Sequence, residues 1–487
     1  MAGDVGFREE PGLRRGAIGL REGLFQSITA MAPGAAIAAS IPAGAAFAGG
    51  ALPLSVLVAL VPVLATAVCV GALAGRMPTA NSVATYTAQG LHPALGFLVA
   101  WGYLFVETLV PPLLFLQLGF TVAGTLHDEW DSYPANLWWP WVIAGAALVA
   151  VLGYYGVRAS ARAGTFLGAF EILVFLAAAV LFVAKAHQTL SVFGTGHTPP
   201  GHRGLSGVVA GSVYSLLALA GFESAAPLAE ETERPERNIR RAVVGAALGV
   251  GVLYVFTTYA AAVLYGPDRF QKFGGSGSAS WEGMARTEYG LFWVLVFLAI
   301  VNSTLANANA GANVSTRTGY ALARIRLLPS GFQRLHPTHR SPVWAVAVQF
   351  AAGLAVALGL GWHYTPQTAF LLVATVITLV VGSVYVLVDV ACAGYFLRRD
   401  RAAFNPVAHL LAPAVGVVFF VPALLTAAGI PAFSFVTRLA APVSYAGAIV
   451  AIWMGVGVVV LGWLLVRRPE RIRQVAEVFG AEEANGG

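Results

Sequence analysis

Charge is what this chain has least of. Asp, Glu, Lys and Arg make up 11% of its 487 residues, against about 25% in an average soluble domain. So few charges cannot cover a water-exposed surface, which excludes a soluble enzyme and a DNA-binding protein. Cysteine is nearly absent: Cys69 and Cys392 both lie inside apolar stretches, so neither a disulfide framework nor a thiolate metal cluster is available. Lysine occurs only at Lys185 and Lys272 among 29 basic residues. That arginine bias, beside abundant alanine and glycine, points to a GC-rich bacterial genome. No G-x-x-x-x-G-K-[ST] phosphate loop occurs, which argues against ATP-driven transport by this chain alone. The nine histidines form no i, i+4 pair inside a predicted helix, so haem and metal sites lack ligands there. No catalytic residue, metal or bound cofactor is expected.

What is present is apolar: 57% of residues are hydrophobic. Apolar runs between breakers predict twelve transmembrane helices near 20–48, 51–74, 93–126, 138–157, 163–185, 205–229, 242–265, 284–316, 342–360, 366–396, 406–428 and 443–465. Each approaches the roughly 20 residues a bilayer requires, so the fold class is an all-α integral membrane protein. A segment 1–19 and a polar tail 466–487 flank the spans. Assigning basic residues to alternate sides places 23 with the N-terminus and the remaining six of 29 opposite. That asymmetry predicts a multi-pass cell-membrane protein with both termini cytoplasmic. It also explains the net charge of +6 without a nucleic-acid partner, because the arginines sit at span ends rather than along one stripe. A cleavable signal peptide is disfavoured, since the first apolar run is too long and carries Pro33 and Pro42.

Two spans carry breaks near their middles. The first contains Thr29-Ala30-Met31-Ala32-Pro33-Gly34-Ala35-Ala36, where proline removes a donor and clashes with the preceding turn. The sixth contains Ala218-Leu219-Ala220-Gly221-Phe222-Glu223-Ser224, a glycine followed by a carboxylate at bilayer depth. Five spans separate the two starts, so the second broken helix enters from the opposite side. Paired interruptions of this kind point to a transporter site at the bilayer midplane. Free N–H groups on one half-helix attract a carboxylate and free C=O groups on the other an ammonium, so a zwitterionic amino acid suits both. Two unrelated Pro/Gly kinks are the plain alternative.

The segment Gly221-Phe222-Glu223-Ser224, followed by Ala229-Glu230-Glu231 and Arg234-Pro235-Glu236-Arg237-Asn238-Ile239, resembles the GFES…AEE…P-R-N-I signature of amino acid permeases in the amino acid–polyamine–organocation (APC) superfamily. Ser315-Thr316-Arg317 through Ala321-Leu322-Ala323-Arg324 to Leu327-Leu328-Pro329 is similar to that family's S-x-R…A-x-R…L-L-P stretch. The resemblance implies a leucine-transporter-type fold, with 20–185 and 205–396 as inverted five-helix repeats and 406–465 as peripheral spans. It implies that a substrate carboxylate meets the amides around Ala32, Gly34, Ala35 and Ala36. The ammonium then meets carbonyls near Ile28, Thr29, Ala218 and Leu219. Leu217 stands four residues before Gly221, where many relatives place an aromatic, and Tyr214 is the nearest ring. Met31-Ala32-Pro33-Gly34 replaces the usual Gly-Ser-Gly-rich break, so the backbone role alone carries over.

The span assignment leaves Glu107, Glu171, Glu223 and Asp389 inside the membrane with no Lys or Arg at comparable depth. An ionised side chain there is unfavourable by roughly 3 kcal/mol or more. Protons, sodium or a substrate amine could neutralise this acidic set. Glu171 aligns with a fifth-span lysine of several proton-coupled relatives, which makes it a coupling candidate; the alternative is a protonated carboxyl bonded to a neighbouring helix. Glu107, one turn before Pro111-Pro112, reads as a counter-ion for a cationic substrate group or as a neutral packing carboxyl. Glu223 reads mainly as an acceptor for unwound backbone, with direct coupling as the second reading. Asp389 is expected to pair with arginines near the surface. Ser303 and Thr304, in the polar eighth span, are candidates for a cation site with first-span carbonyls, or for interhelical hydrogen bonds. Gly245-xxx-Gly249 reads as a helix-packing motif.

These observations predict a secondary active amino acid carrier working by alternating access, coupled to protons or sodium. A polyamine, organic-cation or nucleobase carrier on the same fold is the nearest rival. A channel or transporter-like sensor is a further one, but it lacks the continuous polar lining a pore requires. The expected partners are a small-molecule substrate and the lipid bilayer; the oligomeric state is unspecified.

Overall fold

The structure is a computed structural model describing residues 19–79, 82–134, 136–155, 161–275, 279–324, 329–336 and 341–467. The expected N-terminal segment up to residue 18, the tail from residue 468, and Leu327-Leu328 of the L-L-P stretch lie outside the described residues. Among the described residues no strand forms beyond the isolated bridge Leu335–Pro342.

The helices, in chain order, are α1 (Leu20–Ala30), α2 (Leu52–Arg76), α3 (Ser82–Gly90), α4 (Pro93–Glu129), α5 (Trp139–Tyr155), α6 (Ala161–Lys185) and α7 (Leu205–Leu219). Then follow α8 (Pro235–Tyr265), α9 (Trp281–Tyr289), α10 (Phe292–Arg324), α11 (Val343–His363), α12 (Pro366–Arg398), α13 (Ala412–Ala428) and α14 (Ala446–Arg467). Among the described residues ten helical runs are long and apolar enough to cross a membrane, and α5, with its run Trp139–Tyr155, is a shorter apolar helix. The first run, Leu20–Arg76, is 57 residues long, more than twice the roughly 20 residues that one crossing needs.

That run is a hairpin. A Cβ at Gly23 would lie 3.4 Å from Ala242 Cβ, and one at Gly71 would lie 3.1 Å from Arg240 Cα, so both ends of the run meet the start of α8. Its middle meets the other end of α8, where a Cβ at Gly50 would sit 2.5 Å from Pro267 O. The reversal falls at Gly49, whose φ of 55° lies in the region that glycine enters without a Cβ penalty.

Small residues let these helices pack closely. Ala242, Ala246, Ala247 and Gly251 of α8 are buried, and a Cβ at Gly251 would overlap Leu60 at 2.3 Å. This face, and not Gly245-xxx-Gly249, is the packing stripe: nothing lies within 4 Å of a Cβ at Gly249. At the periphery large apolar side chains point outward, among them Phe166 at 79%, Ile452 at 70% and Val459 at 72% exposure. Such a continuous apolar exterior fits lipid and not water.

Two expected spans change their bounds. The eighth span does not start at 284, because α9 is a separate short helix closed by Gly290 at φ 56°. The seventh starts at Pro235 instead of 242, since proline at the first helical position nucleates the helix before its apolar part begins.

Candidate functional site

The first span is interrupted after Ala30. Ala32 has φ 44° and ψ 66°, a left-handed conformation that costs a non-glycine residue about 1–3 kcal/mol and is found mainly at functional sites. The chain resumes as a helical turn at Pro33–Ala35 and a π-helical turn at Ala36–Ser40. The sixth span is interrupted after α7, where Ala220 is extended and Gly221 has φ 99°. A 3-10 segment, Phe222–Glu231, follows. The two breaks touch: a Cβ at Gly221 would lie 2.9 Å from the carbonyl carbon and oxygen of Ala30.

Backbone groups at the breaks divide into used and free. Ala32 N–H donates to Thr29 O at 3.1 Å and Ala36 N–H to Ala32 O at 3.0 Å. The expected amide donors Ala32 and Ala36 are therefore spent, because the turn around Pro33 closes on itself. Gly34 and Ala35, in the first turn after Pro33, have no intrahelical acceptor. The carbonyl of Thr29 is likewise taken, whereas those of Ile28, Ala218 and Leu219 receive no backbone donor among the described residues.

A cavity of about 520 Å³ lies against both breaks. Of the residues expected to hold substrate, Ala32, Ala35, Ala36, Glu107, Leu217, Ala218 and Gly221 line it; Ile28, Thr29, Gly34 and Leu219 do not. It reaches the arginine-rich end through Gln26, Ser82 and Arg317. Toward the opposite end an aromatic stack is packed shut. Phe47 and Tyr214 lie 5.6 Å apart at 14°, and His202 meets Phe47 edge-on at 5.2 Å. Burial pushes the His202 imidazole below its ordinary pKa, which keeps the ring neutral. Tyr214 is fully buried and belongs to this plug, while Leu217 faces the cavity.

Glu223 ties the second break to two other helices. Its Oε1 accepts from Tyr103 OH at 2.6 Å, and its Oε2 accepts from Tyr385 OH at 2.7 Å and Gly221 N–H at 3.1 Å. Ser27 joins the two breaks, donating to Phe222 O at 2.6 Å and accepting from Ala225 N–H at 3.1 Å. Tyr254 OH donates to Met31 O at 2.9 Å, and Gln117 Nε2 to Ala35 O at 3.0 Å. These side chains hold the unwound backbone open, and none was singled out in the sequence except Glu223. The signal was faint: Gln117 is a lone amide in an apolar run, and the tyrosines resemble ordinary core rings.

Glu107 lines the cavity with its carboxyl unpaired among the described residues. Pro112 deprives the Thr108 carbonyl of its helical donor, and Gln349 Nε2 replaces it at 3.1 Å. Glu171, 3% exposed, and Ser303, 2% exposed, lie outside the cavity, on the other side of Gly34. A Cβ at Gly34 would sit 3.1 Å from Glu171 Oε2 and 2.9 Å from Ser303 Cβ. Glu171 Oε2 and Ser303 Oγ are buried and form no hydrogen bond of normal geometry among the described residues, although the Ser303 hydroxyl and the Gly34 amide are the polar neighbours of the Glu171 carboxyl. Thr304 instead donates to Ile300 O at 2.7 Å within its own helix. Asp389 does not pair with an arginine. It is fully buried and accepts from Thr66 Oγ1 at 2.9 Å, because α2 and α12 run side by side with Thr66 opposite Asp389 and Arg76 opposite Asp400.

The family model described as "Amino acid permease" matches residues 23–475. The low-affinity putrescine importer PlaP of Escherichia coli (strain K12) is 26% identical over 309 residues, covering 63% of this chain and 66% of the importer. An uncharacterized transporter of Rhizobium meliloti is 28% identical over 281 residues, 56% of this chain and 58% of that protein. The branched-chain amino acid permease BcaP of Bacillus subtilis is 25% identical over 338 residues, 65% of this chain and 68% of the permease. Thus the chain spans less than two thirds of the length of the first two of these relatives.

Proposed function

The chain belongs to the amino acid permease family, and from that premise we propose that it is a secondary active transporter moving an amino acid or related amine by alternating access. The observation that carries this reading is the meeting of two interrupted helices on one cavity, lined by Ala35 of one break, whose amide has no intrahelical acceptor, and by Ala218 of the other, whose carbonyl receives no backbone donor among the described residues. A substrate carboxylate is placed at the Ala35 amide, and its ammonium at the Ala218 carbonyl. Twelve crossings, two inverted five-helix repeats and cytoplasmic termini complete the reading. The substrates in the names of two relatives, putrescine and branched-chain amino acids, span both substrate classes.

Glu107 favours a second positive group on the substrate, because an unpaired carboxylate in the cavity wall is costly until a cation meets it. In Glu107→Gln, the preference for a substrate with two cationic groups over a neutral amino acid should fall at least tenfold, about 1.4 kcal/mol. Competition uptake with ornithine, putrescine and leucine checks this; an unchanged ranking removes the counter-ion role.

Glu171 and Ser303 are proposed as the coupling site, where a proton or sodium ion would satisfy two buried oxygens that form no hydrogen bond of normal geometry among the described residues. The test is solute uptake by purified protein in sealed liposomes under separately imposed pH and sodium gradients. Accumulation above equilibrium that a protonophore abolishes supports proton coupling, and a sodium requirement reassigns the ion. Simple equilibration would indicate a channel and overturn the carrier reading. Glu171→Gln should retain exchange but lose pH-driven accumulation. If its pH dependence matches the wild type, the coupling role of Glu171 is lost.

A further inference from the structure

Away from the transport cavity, at the arginine-rich end, several helix ends converge on a basic cluster. Gly71 of α2 packs on Arg240 of α8, with 3.1 Å between a Cβ on the glycine and the arginine Cα. No described residue hydrogen-bonds the Arg240 guanidinium. Arg76 Nε, at the end of α2, meets Asp400 Oδ2 at 3.1 Å, just beyond α12. Arg401 follows on the next turn, exposed, with its Nε donating to Leu397 O at 2.6 Å.

His409 lies among these charges, with Arg240, Arg76 and Asp400 as its electrostatic neighbours. It sits in a π-helical turn, Val407–Leu411, and is 6% exposed. Its ring stacks on Phe396 with centroids 3.5 Å apart at 5°. Nδ1 accepts the Asn405 N–H at 3.0 Å, so the proton of the neutral ring resides on Nε2. No acceptor for it occurs among the described residues. Asp400 is already taken by Arg76, and Glu236, exposed, stands a turn away beside Gly75. The cluster thus has more donors than acceptors, in a built and partly buried setting.

Its surroundings indicate where the missing anion comes from. Val407 and Leu410, on the same turn as His409, are 64% and 51% exposed. An anion held here is flanked by lipid-facing hydrocarbon, which a free phosphate does not need and an acyl chain does. We propose that Arg76, Arg240, Arg401 and His409 form a binding site for the phosphate of an anionic phospholipid, whose acyl chains lie along Val407 and Leu410. Arginine guanidinium groups suit a phosphodiester by their paired N–H geometry, and basic clusters at span ends attract anionic lipid.

Native mass spectrometry of the full chain, with phosphatidylglycerol and phosphatidylcholine added in equal amounts, tests this directly. Wild type should retain phosphatidylglycerol at least tenfold over phosphatidylcholine. The double variant Arg240→Gln/Arg401→Gln should lose that preference, while Arg269→Gln, at the opposite end, should keep it. The single Arg401→Gln, on an exposed turn, should lose part of the preference, which preserves the test if the double variant folds poorly. Equal retention of both lipids by wild type, or an unchanged preference in the Arg401 variant, overturns the proposal. So does full displacement of the lipid by millimolar inorganic phosphate, which would identify a site for free anions.

Discussion

Gly221→Ala should reduce solute uptake at least tenfold and lower the melting temperature of the purified protein. Two costs add at this residue. A φ of 99° is strained for alanine by about 1–2 kcal/mol. The added Cβ would also approach the Ala30 carbonyl group at 2.9 Å, and overpacking of this kind costs about 1–3 kcal/mol. Relief requires the two breaks to move apart, which separates the amides of one from the carbonyls of the other. Binding geometry and stability therefore fall together. Wild-type uptake with an unchanged melting temperature would mean that the crossing of the breaks does not shape the site.

Glu223→Ala should be more damaging still. The substitution removes the acceptor for Tyr103 OH, Tyr385 OH and Gly221 N–H at once. Each buried donor left without a partner costs about 1–3 kcal/mol, so a combined loss of about 3 kcal/mol or more is expected, enough to depress uptake about 100-fold. Tyr103→Phe, which removes one bond of the three, should lose about tenfold or less and keep the wild-type pH profile. Uptake rates and melting temperatures of the two variants provide the check. Normal uptake and stability in Glu223→Ala would contradict the holding role. A shifted pH profile in Tyr103→Phe would indicate that Glu223 also carries the coupling proton.

The breaks were legible in the sequence because their causes are local. Pro33 cannot continue a helix, and Gly221 beside Glu223 at bilayer depth marks an unwound segment. Which residue takes the left-handed conformation was less legible. Gly34 is the natural choice, yet Ala32 adopts it. Gly34 is instead needed for its missing side chain, since Ser303, Ala299 O and Glu171 all crowd the place where a Cβ would stand.

Long-range partners could not be read from the chain. Tyr103 and Tyr385 lie 120 and 162 residues from Glu223, and in an apolar span a tyrosine looks like packing until the fold brings its hydroxyl to a carboxylate. Asp389 illustrates the same limit. Along its own chain the arginine next after Asp389 is Arg398, whereas the partner is Thr66 on a neighbouring helix 323 residues away. The α9 boundary was less legible because no proline separates this amphipathic nine-residue helix from the long apolar span after it; the division falls at Gly290, whose backbone angle is set by the fold.

The account depends on one small molecule being held between the two breaks. An experimental structure of the protein saturated with a solute it transports tests that most directly. The predicted result is solute density between Ala32–Ala35 and Ala218–Gly221, with its carboxylate, where it has one, at the Ala35 amide. Unbroken helices through Met31–Ala32 and Ala220–Gly221, or solute bound elsewhere, would contradict it.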